Sequence, residues 1–329
     1  MMPLPKFKLE RPRSLTEALQ LLHELPDSMS LAGGTDLLVS MKQGLYTPGR
    51  VVDLKNIPEL ATMEISNEGA CLGSSLKLST IRDHCQIHKH YPALSEAAGL
   101  IASPNIQNMG TLGGNVCLDT RCWYFNQSEF WRSSKGYCLK KDGVICQAAP
   151  SAKRCFAVFS SDTVPPLIAL GAWAQLARWD GARTVHREIP LEELYREDGI
   201  HRIAMKRGEL LVGVRLPASH GLRSGYLKYR KRGAIDYPLA SAGVALRMVG
   251  GIMKDVRIVL GALASSPVIA SEAMELLEGA APSPERFARA SELIGKRTSP
   301  VKNQAGTPAH RKLMARVYTQ RLLVRLSAL

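Results

Sequence analysis

A chain of 329 residues can bury a sizeable core and divide into two or three domains. Its 45% apolar and 22% charged residues are an ordinary globular balance, which excludes a fibrous or disordered chain. No apolar run reaches the roughly 18 residues of a membrane span, and the charged, proline-containing start from Met1 to Pro12 lacks the core of a signal peptide. These features point to the cytoplasm, where thiols stay reduced and clustered cysteines mean metal more often than disulfides. The net charge of +14 is compatible with a solubilising surface or an acidic partner. Nucleic-acid binding lacks support, because aromatics do not interleave with the basic residues and no recognition signature is present.

The first 60 residues read as a small α/β unit. Ser14 and Glu17 form a capping box for a helix to Leu25, with leucines on one face and Pro26 as its stop. Ser30 to Lys42 then reads as a strand, a Gly33-Gly34 turn and the start of a helix, and Arg50 to Leu54 as another strand. Met63 to Leu72 has the pattern of a hairpin turning at Asn67-Glu68-Gly69. One helix is predicted over Lys77–Tyr91, capped at Thr80, and a second over Leu94–Ile101. His84, Cys85 and His88 share the first, but without a third ligand group nearby a structural helix is the better reading.

A second glycine turn follows, Asn108-Met-Gly-Thr-Leu-Gly-Gly-Asn115. Paired glycines let backbone approach a ligand closely, and the amides of Thr35 and Asp36 suit a pyrophosphate. Two such turns could grip opposite sides of one phosphate-bearing cofactor, although Gly33-Gly34 taken alone reads better as a plain tight turn.

Five of the seven cysteines lie between the second glycine turn and Ser161-Asp162. Cys117 and Cys122 begin a C-x4-C pattern, but Phe125 occupies the third position that a plant-type [2Fe–2S] site requires. What remains is Cys122-x15-Cys138-x7-Cys146-x8-Cys155, in a loop of poor periodicity too aromatic for disorder. Spacing alone leaves metal binding and unligated cysteines evenly balanced. This loop carries Arg121, Arg132, Lys135, Lys140, Lys141, Lys153 and Arg154 against Asp119, Glu129 and Asp142, an excess that favours an acidic partner.

Beyond it, Leu167 to Ala177 passes from buried helix to strand, Asp180-Gly181 makes a hairpin turn, and Glu209–Pro217 is a strand before a linker. Three antiparallel strands are expected at Gly225–Arg230, Ala240–Met248 and Val256–Gly261, the last two joined at Gly250-Gly251. Helices follow at about 271–279, 284–295 and 309–326.

Taken in order, Ala32-Gly-Gly-Thr-Asp36, Asn108 to Asn115, Ser161-Asp162, and Lys228 before a Tyr-Arg-Lys-Arg run resemble the FAD-binding medium subunits of the xanthine oxidase family of molybdenum hydroxylases. The resemblance covers essentially the whole chain. It implies an α+β fold: a two-part FAD-binding domain of PCMH type, then a C-terminal three-stranded antiparallel sheet with a helical bundle. Residues 1–60 and 61–217 would be the two FAD-binding parts, with an insertion at about 119–158, and 222–329 the C-terminal domain. The insertion resembles that of the 4-hydroxybenzoyl-CoA reductase branch, in which four cysteines hold a [4Fe–4S] cluster. Cys122, Cys138, Cys146 and Cys155 would be those ligands, with Cys71, Cys85 and Cys117 unassigned.

By the same resemblance, Met29, Ser30, Leu31, Ala32, Gly33, Gly34, Thr35 and Asp36 would cradle the FAD pyrophosphate and ribityl chain with Thr111, Leu112, Gly113, Gly114 and Asn115. Asp162 would bond the ribose, Ile101 and Leu211 would flank the rings, and Lys228 would sit near the flavin. Molybdopterin would lie on a large partner subunit and [2Fe–2S] on a small one, in a dimer of heterotrimers. Electrons from ferredoxin would reach the cluster and then FAD, serving reduction of 4-hydroxybenzoyl-CoA to benzoyl-CoA. An acidic ferredoxin would dock over the basic loop, at Lys140 and Lys141. A flavin subunit of an aldehyde or xanthine dehydrogenase is the rival enzyme, and a zinc-bound scaffold the non-enzyme rival.

Overall fold

The computed structural model describes residues 2–298 and 300–327, arranged around three sheets. The first is parallel: β1 (Lys8–Glu10) and β2 (Ser28–Leu31) both pair with β3 (Arg50–Asp53). Between β1 and β2 runs α1 (Leu15–Glu24), and between β2 and β3 runs α2 (Leu37–Lys42). Ser14 caps α1 through Glu17 N as expected, but the Glu17 carboxylate turns to Arg13 N rather than closing the box on Ser14. The periodic face of α1, Leu15, Ala18, Leu19 and Leu22, is buried against Val52, Leu54 and Leu60.

The second sheet is antiparallel and begins with the hairpin of β4 (Met63–Ser66) and β5 (Gly69–Gly73). Small helices follow: α3 (Leu78–Asp83), α4 (Cys85–His90), α5 (Pro92–Leu100), α6 (Pro104–Gln107) and α7 (Leu112–Val116). The single helix expected over 77–91 is thus two, divided at an extended His84 and with Lys77 rather than Thr80 at the N-cap. Ile81 and Ile87 explain the break. On a continuous helix, six residues turn through about 600°, leaving the two on different faces, yet both are fully buried in one core.

The insertion contains α8 (Glu129–Ser134), a helix its weak periodicity concealed. Then come the fully buried α9 (Val164–Ala169), β6 (Trp173–Trp179), β7 (Thr184–Pro190) and β8 (Leu210–Pro217), completing a sheet in the order β4-β5-β8-β6-β7.

The third sheet has four strands where three were expected. β9 (Arg223–Tyr229), β10 (Ala240–Val249) and β11 (Ile252–Gly261) are joined by the short β12 (Val268–Ile269). Gly250 and Gly251 make the β10–β11 turn, with φ of 57° and 80°. On β11, Ile258 and Leu260 enter a core with α10 (Ser271–Leu277), α11 (Pro284–Arg297) and α12 (Pro308–Ser327), while Val259 between them enters the core of the second sheet. Both faces of this sheet are therefore covered, which is why Ala240–Leu246 of β10 and Ile258–Gly261 of β11 are continuous runs of buried small and apolar residues. Among the described residues no helix is long and apolar enough to cross a membrane.

Candidate functional site

Loops from all three sheets converge on a cleft of about 700 Å³. The two glycine segments meet there. A Cβ on Gly33 would stand 2.1 Å from the Met109 carbonyl oxygen, so only glycine allows this approach, and Gly34 adopts φ +75°. The second segment is the helix α7 rather than a plain turn, with Thr111 Oγ1 accepting from Gly114 N at 3.1 Å. A Cβ on Gly113 would lie 2.6 Å from Ser74 Cβ.

Of the residues singled out by sequence, Met29, Ser30, Ala32 to Asp36, Thr111, Gly113, Gly114 and Asn115 share the cleft wall with Ile101, Asp162 and Leu211. Leu31 and Leu112 are buried in neighbouring cores and shape the wall from behind. Lys228 is outside the lining. Its ammonium instead donates to Asp162 Oδ2 at 2.8 Å and to the Leu100 carbonyl at 3.0 Å.

Two buried side chains tie the wall together. Asn115 Oδ1 accepts from Ser161 Oγ, Thr163 N and Thr163 Oγ1 at 2.8–3.0 Å, joining the second glycine segment to the Ser161-Asp162 corner. Asp162 takes Tyr226 OH on one oxygen at 2.6 Å and Lys228 on the other. Burial raises its carboxyl above the ordinary range, opposed by Lys228. Both of its oxygens thus have protein donors already.

Other cleft residues were missed by the sequence reading. Asp36 pairs with Arg121 at 2.7 Å, and Tyr237 lies under the Arg121 guanidinium at 4.5 Å. Burial pushes the Asp36 carboxyl up against the pull of Arg121. Asp119 accepts from Tyr46 OH, Lys140 Nζ and Arg202 Nε. Burial raises its pKa, but Lys140 and Arg202 outweigh burial and leave it below the usual carboxylate value. Tyr46, Arg202 and Tyr237 are scattered along the chain, so no local motif marks them.

The insertion leaves and rejoins the fold at one point, where Arg121 and Val158 exchange backbone hydrogen bonds of 2.8 and 2.7 Å. Leu118, Asp119, Arg121 and Ser160 beside this neck line the cleft, so the loop rises from the cleft's rim. Trp123 N donates to the Asn303 carbonyl at 2.9 Å, and the fully buried Arg132 reaches the Gly44 carbonyl at 3.1 Å.

Inside, Cys138, Cys146 and Cys155 are buried and Cys122 is half-buried, all with free thiols. Ionisation of Cys122 is opposed by each of the other three thiols, and that of Cys155 by Cys146 and Cys138, so the four lie within electrostatic reach of one another. Burial pushes Cys122 to about 12 and Cys155 to about 11, with Lys140 pulling Cys155 down. Among the described residues no three His, Cys, Asp or Glu side chains stand at the spacing of a single metal ion. Cys117 is separate, its thiol 3.9 Å from Met205 Sδ in the cleft wall.

Residues 5–219 match the FAD binding domain in molybdopterin dehydrogenase, and residues 225–326 the CO dehydrogenase flavoprotein C-terminal domain. The chain belongs to the family of FAD-binding medium subunits of molybdenum hydroxylases, which spans CO dehydrogenase and xanthine oxidase. It is 29% identical over 326 residues to the carbon monoxide dehydrogenase medium chain of Afipia carboxidovorans, covering 98% of this chain and 97% of that one. It is 27% identical to the nicotine 6-hydroxylase medium subunit of Paenarthrobacter nicotinovorans, covering 99% of each. A solved structure of the cyanide-inactivated Cu,Mo-CO dehydrogenase superposes with a TM-score of 0.80 at 27% identity over 99% of both chains. The protein is thus a FAD-binding subunit of an oxidoreductase of this type.

Proposed function

We propose that this chain receives electrons for a molybdenum enzyme that reduces 4-hydroxybenzoyl-CoA to benzoyl-CoA, taking them from a ferredoxin through a [4Fe–4S] cluster to FAD. The single observation that carries this reading is that four free cysteines, Cys122, Cys138, Cys146 and Cys155, lie on the one loop whose neck lines the cofactor cleft.

The donor set fits such a cluster. Among the described residues no group of three His, Cys, Asp or Glu side chains stands at metal-binding spacing, so the reading rests on donor type and on the loop's place beside the cleft. When bound, the cluster would supply one-electron steps and the flavin would link them to two-electron chemistry.

The chain's own residues bind, orient and insulate. Gly33 and Gly34 would bring backbone amides against the FAD pyrophosphate together with Thr111 to Asn115. Ile101 and Leu211 would flank the rings, while Asp162, held by Tyr226 and Lys228, would fix the corner near the ribose. The molybdopterin-bearing large subunit and the [2Fe–2S] small subunit would complete a dimer of heterotrimers.

Flavin, iron and acid-labile sulfide analysis of the purified chain tests the reading, with all three expected together. Zinc without sulfide would instead establish the scaffold. Family membership is equally consistent with a second reading, a flavin subunit of an aldehyde- or xanthine-type dehydrogenase in which electrons leave the flavin for NAD⁺ or a quinone. Reduction of the assembled complex by reduced ferredoxin, and not by NADH, separates the two.

A further inference from the structure

One buried carboxylate is common to the cleft and the cysteine site. Asp119 accepts from Tyr46 OH at 2.5 Å, Lys140 Nζ at 2.7 Å and Arg202 Nε at 2.9 Å. Asp119, Tyr46 and Arg202 line the cleft. Lys140 comes from the other side, two residues beyond Cys138. Its ammonium sits 4.4 Å over the ring of Phe125, which shares a small apolar cluster with Cys122 and Cys138. Cys155 also feels its charge.

The hydrogen bonds fix Lys140 as a cation. Its nitrogen has three acceptors: Asp119 Oδ1, the Thr120 carbonyl at 3.2 Å and Thr120 Oγ1 at 2.6 Å. Thr120 Oγ1 gives its own proton to the Gly199 carbonyl at 2.7 Å, so toward Lys140 it can only accept. The side chains of Lys140 and Asp119 are only 6% and 11% exposed. A buried ion pair is seldom more stabilising than apolar groups of the same volume, so stability alone does not account for its position.

Resting on the cluster reading above, we propose that the Asp119–Lys140 pair is a shared electrostatic element that sets the reduction potentials of the cysteine site and the flavin cleft together. Reduction adds negative charge at either site. A fixed cation between them favours the reduced form of both, and a fixed anion opposes it, with little solvent to screen either. The pair acts as a positioning and tuning element, since neither residue need touch the reacting atoms.

Redox titration of the holoprotein, followed by cluster and flavin spectra, tests this with Lys140→Met, Lys140→Arg and Asp119→Asn. Lys140→Met should lower the cluster potential by the equivalent of about tenfold in the reduction equilibrium, or 59 mV for one electron, and lower the flavin potential by less. Asp119→Asn should raise both, and Lys140→Arg should keep wild-type values. General damage to the loop would move Met and Asn variants the same way. Iron-replete Lys140→Met with unchanged potentials would overturn the inference. If Lys140→Met fails to hold iron, the other two decide: Arg at the wild-type value with Asn raised supports the inference, and the two moving together overturns it. Wild-type protein lacking iron and sulfide would end the cluster reading itself, whereas unchanged potentials in iron-replete variants end only this inference.

Discussion

The cofactor cleft and the cysteine loop lie side by side yet are built by different physics. The cleft is a backbone construction: Gly33 touches the Met109 carbonyl, Gly113 abuts Ser74, and regular elements stand behind both. The cysteine loop is held by a neck, by the buried Arg132 side chain at the Gly44 carbonyl and by the Trp123 amide at the Asn303 carbonyl. A surface built from backbone contact is shaped before a ligand arrives. Four thiols, three of them buried, must by contrast lose protons to become ligands, and burial resists that until a metal group compensates. The cleft should therefore survive loss of the cluster, while the loop should depend on it.

The largest expected effects separate the two regions. Gly33→Ala would drive a methyl into the Met109 carbonyl at 2.1 Å; flavin content should fall to background, with a stability loss of about 1–3 kcal/mol in chemical denaturation. Retained flavin would show that the two glycine segments do not have to meet. Cys155→Ser should remove iron and sulfide while leaving flavin in place, and a parallel loss of flavin would erase the contrast drawn above. A smaller effect is expected from Asn115→Ala, which strands the donors of Ser161 and Thr163. One stranded donor left unsatisfied, at about 1–3 kcal/mol, should weaken FAD binding by about tenfold, measurable by flavin fluorescence on apoprotein.

The sequence was most legible where local chemistry and global fold agree. Ser14 at the start of α1 and the Gly250-Gly251 hairpin follow from capping and positive φ, each visible in a few neighbouring residues. The glycine segments could be read because close approach demands glycine. What was hidden depended on distance. His84 divides a helix because Ile81 and Ile87 must reach one core, a demand set by the second sheet rather than by 77–91 itself. Lys228 looks like a free cation in a basic run, and only the fold brings Asp162 beneath it. Tyr46, Arg202 and Tyr237 come from three separate stretches, and no spacing rule links them.

The basic excess of the insertion is the clearest correction, and it leads to the smallest expected effect. Of its seven cations, Arg121 pairs with Asp36, Arg132 with Glu129, Lys140 with Asp119, and Arg154 with Glu197. Lys140 is therefore a buried residue and not part of a docking face. Lys141 is partly exposed and 3.3 Å from Asp142, which leaves Lys135 and Lys153 as exposed charges. Two or three such charges steer a partner weakly. The double change Lys135→Glu with Lys153→Glu should slow reduction by an acidic ferredoxin a few-fold at low salt, and the difference should vanish toward 1 M salt, where the screening length falls to about 3 Å. Lys140→Glu should behave differently at every ionic strength, because it places two carboxylates together in a buried site and should cost iron content rather than encounter rate. A salt dependence identical to wild type in the double variant would mean that the acidic partner does not approach over this loop.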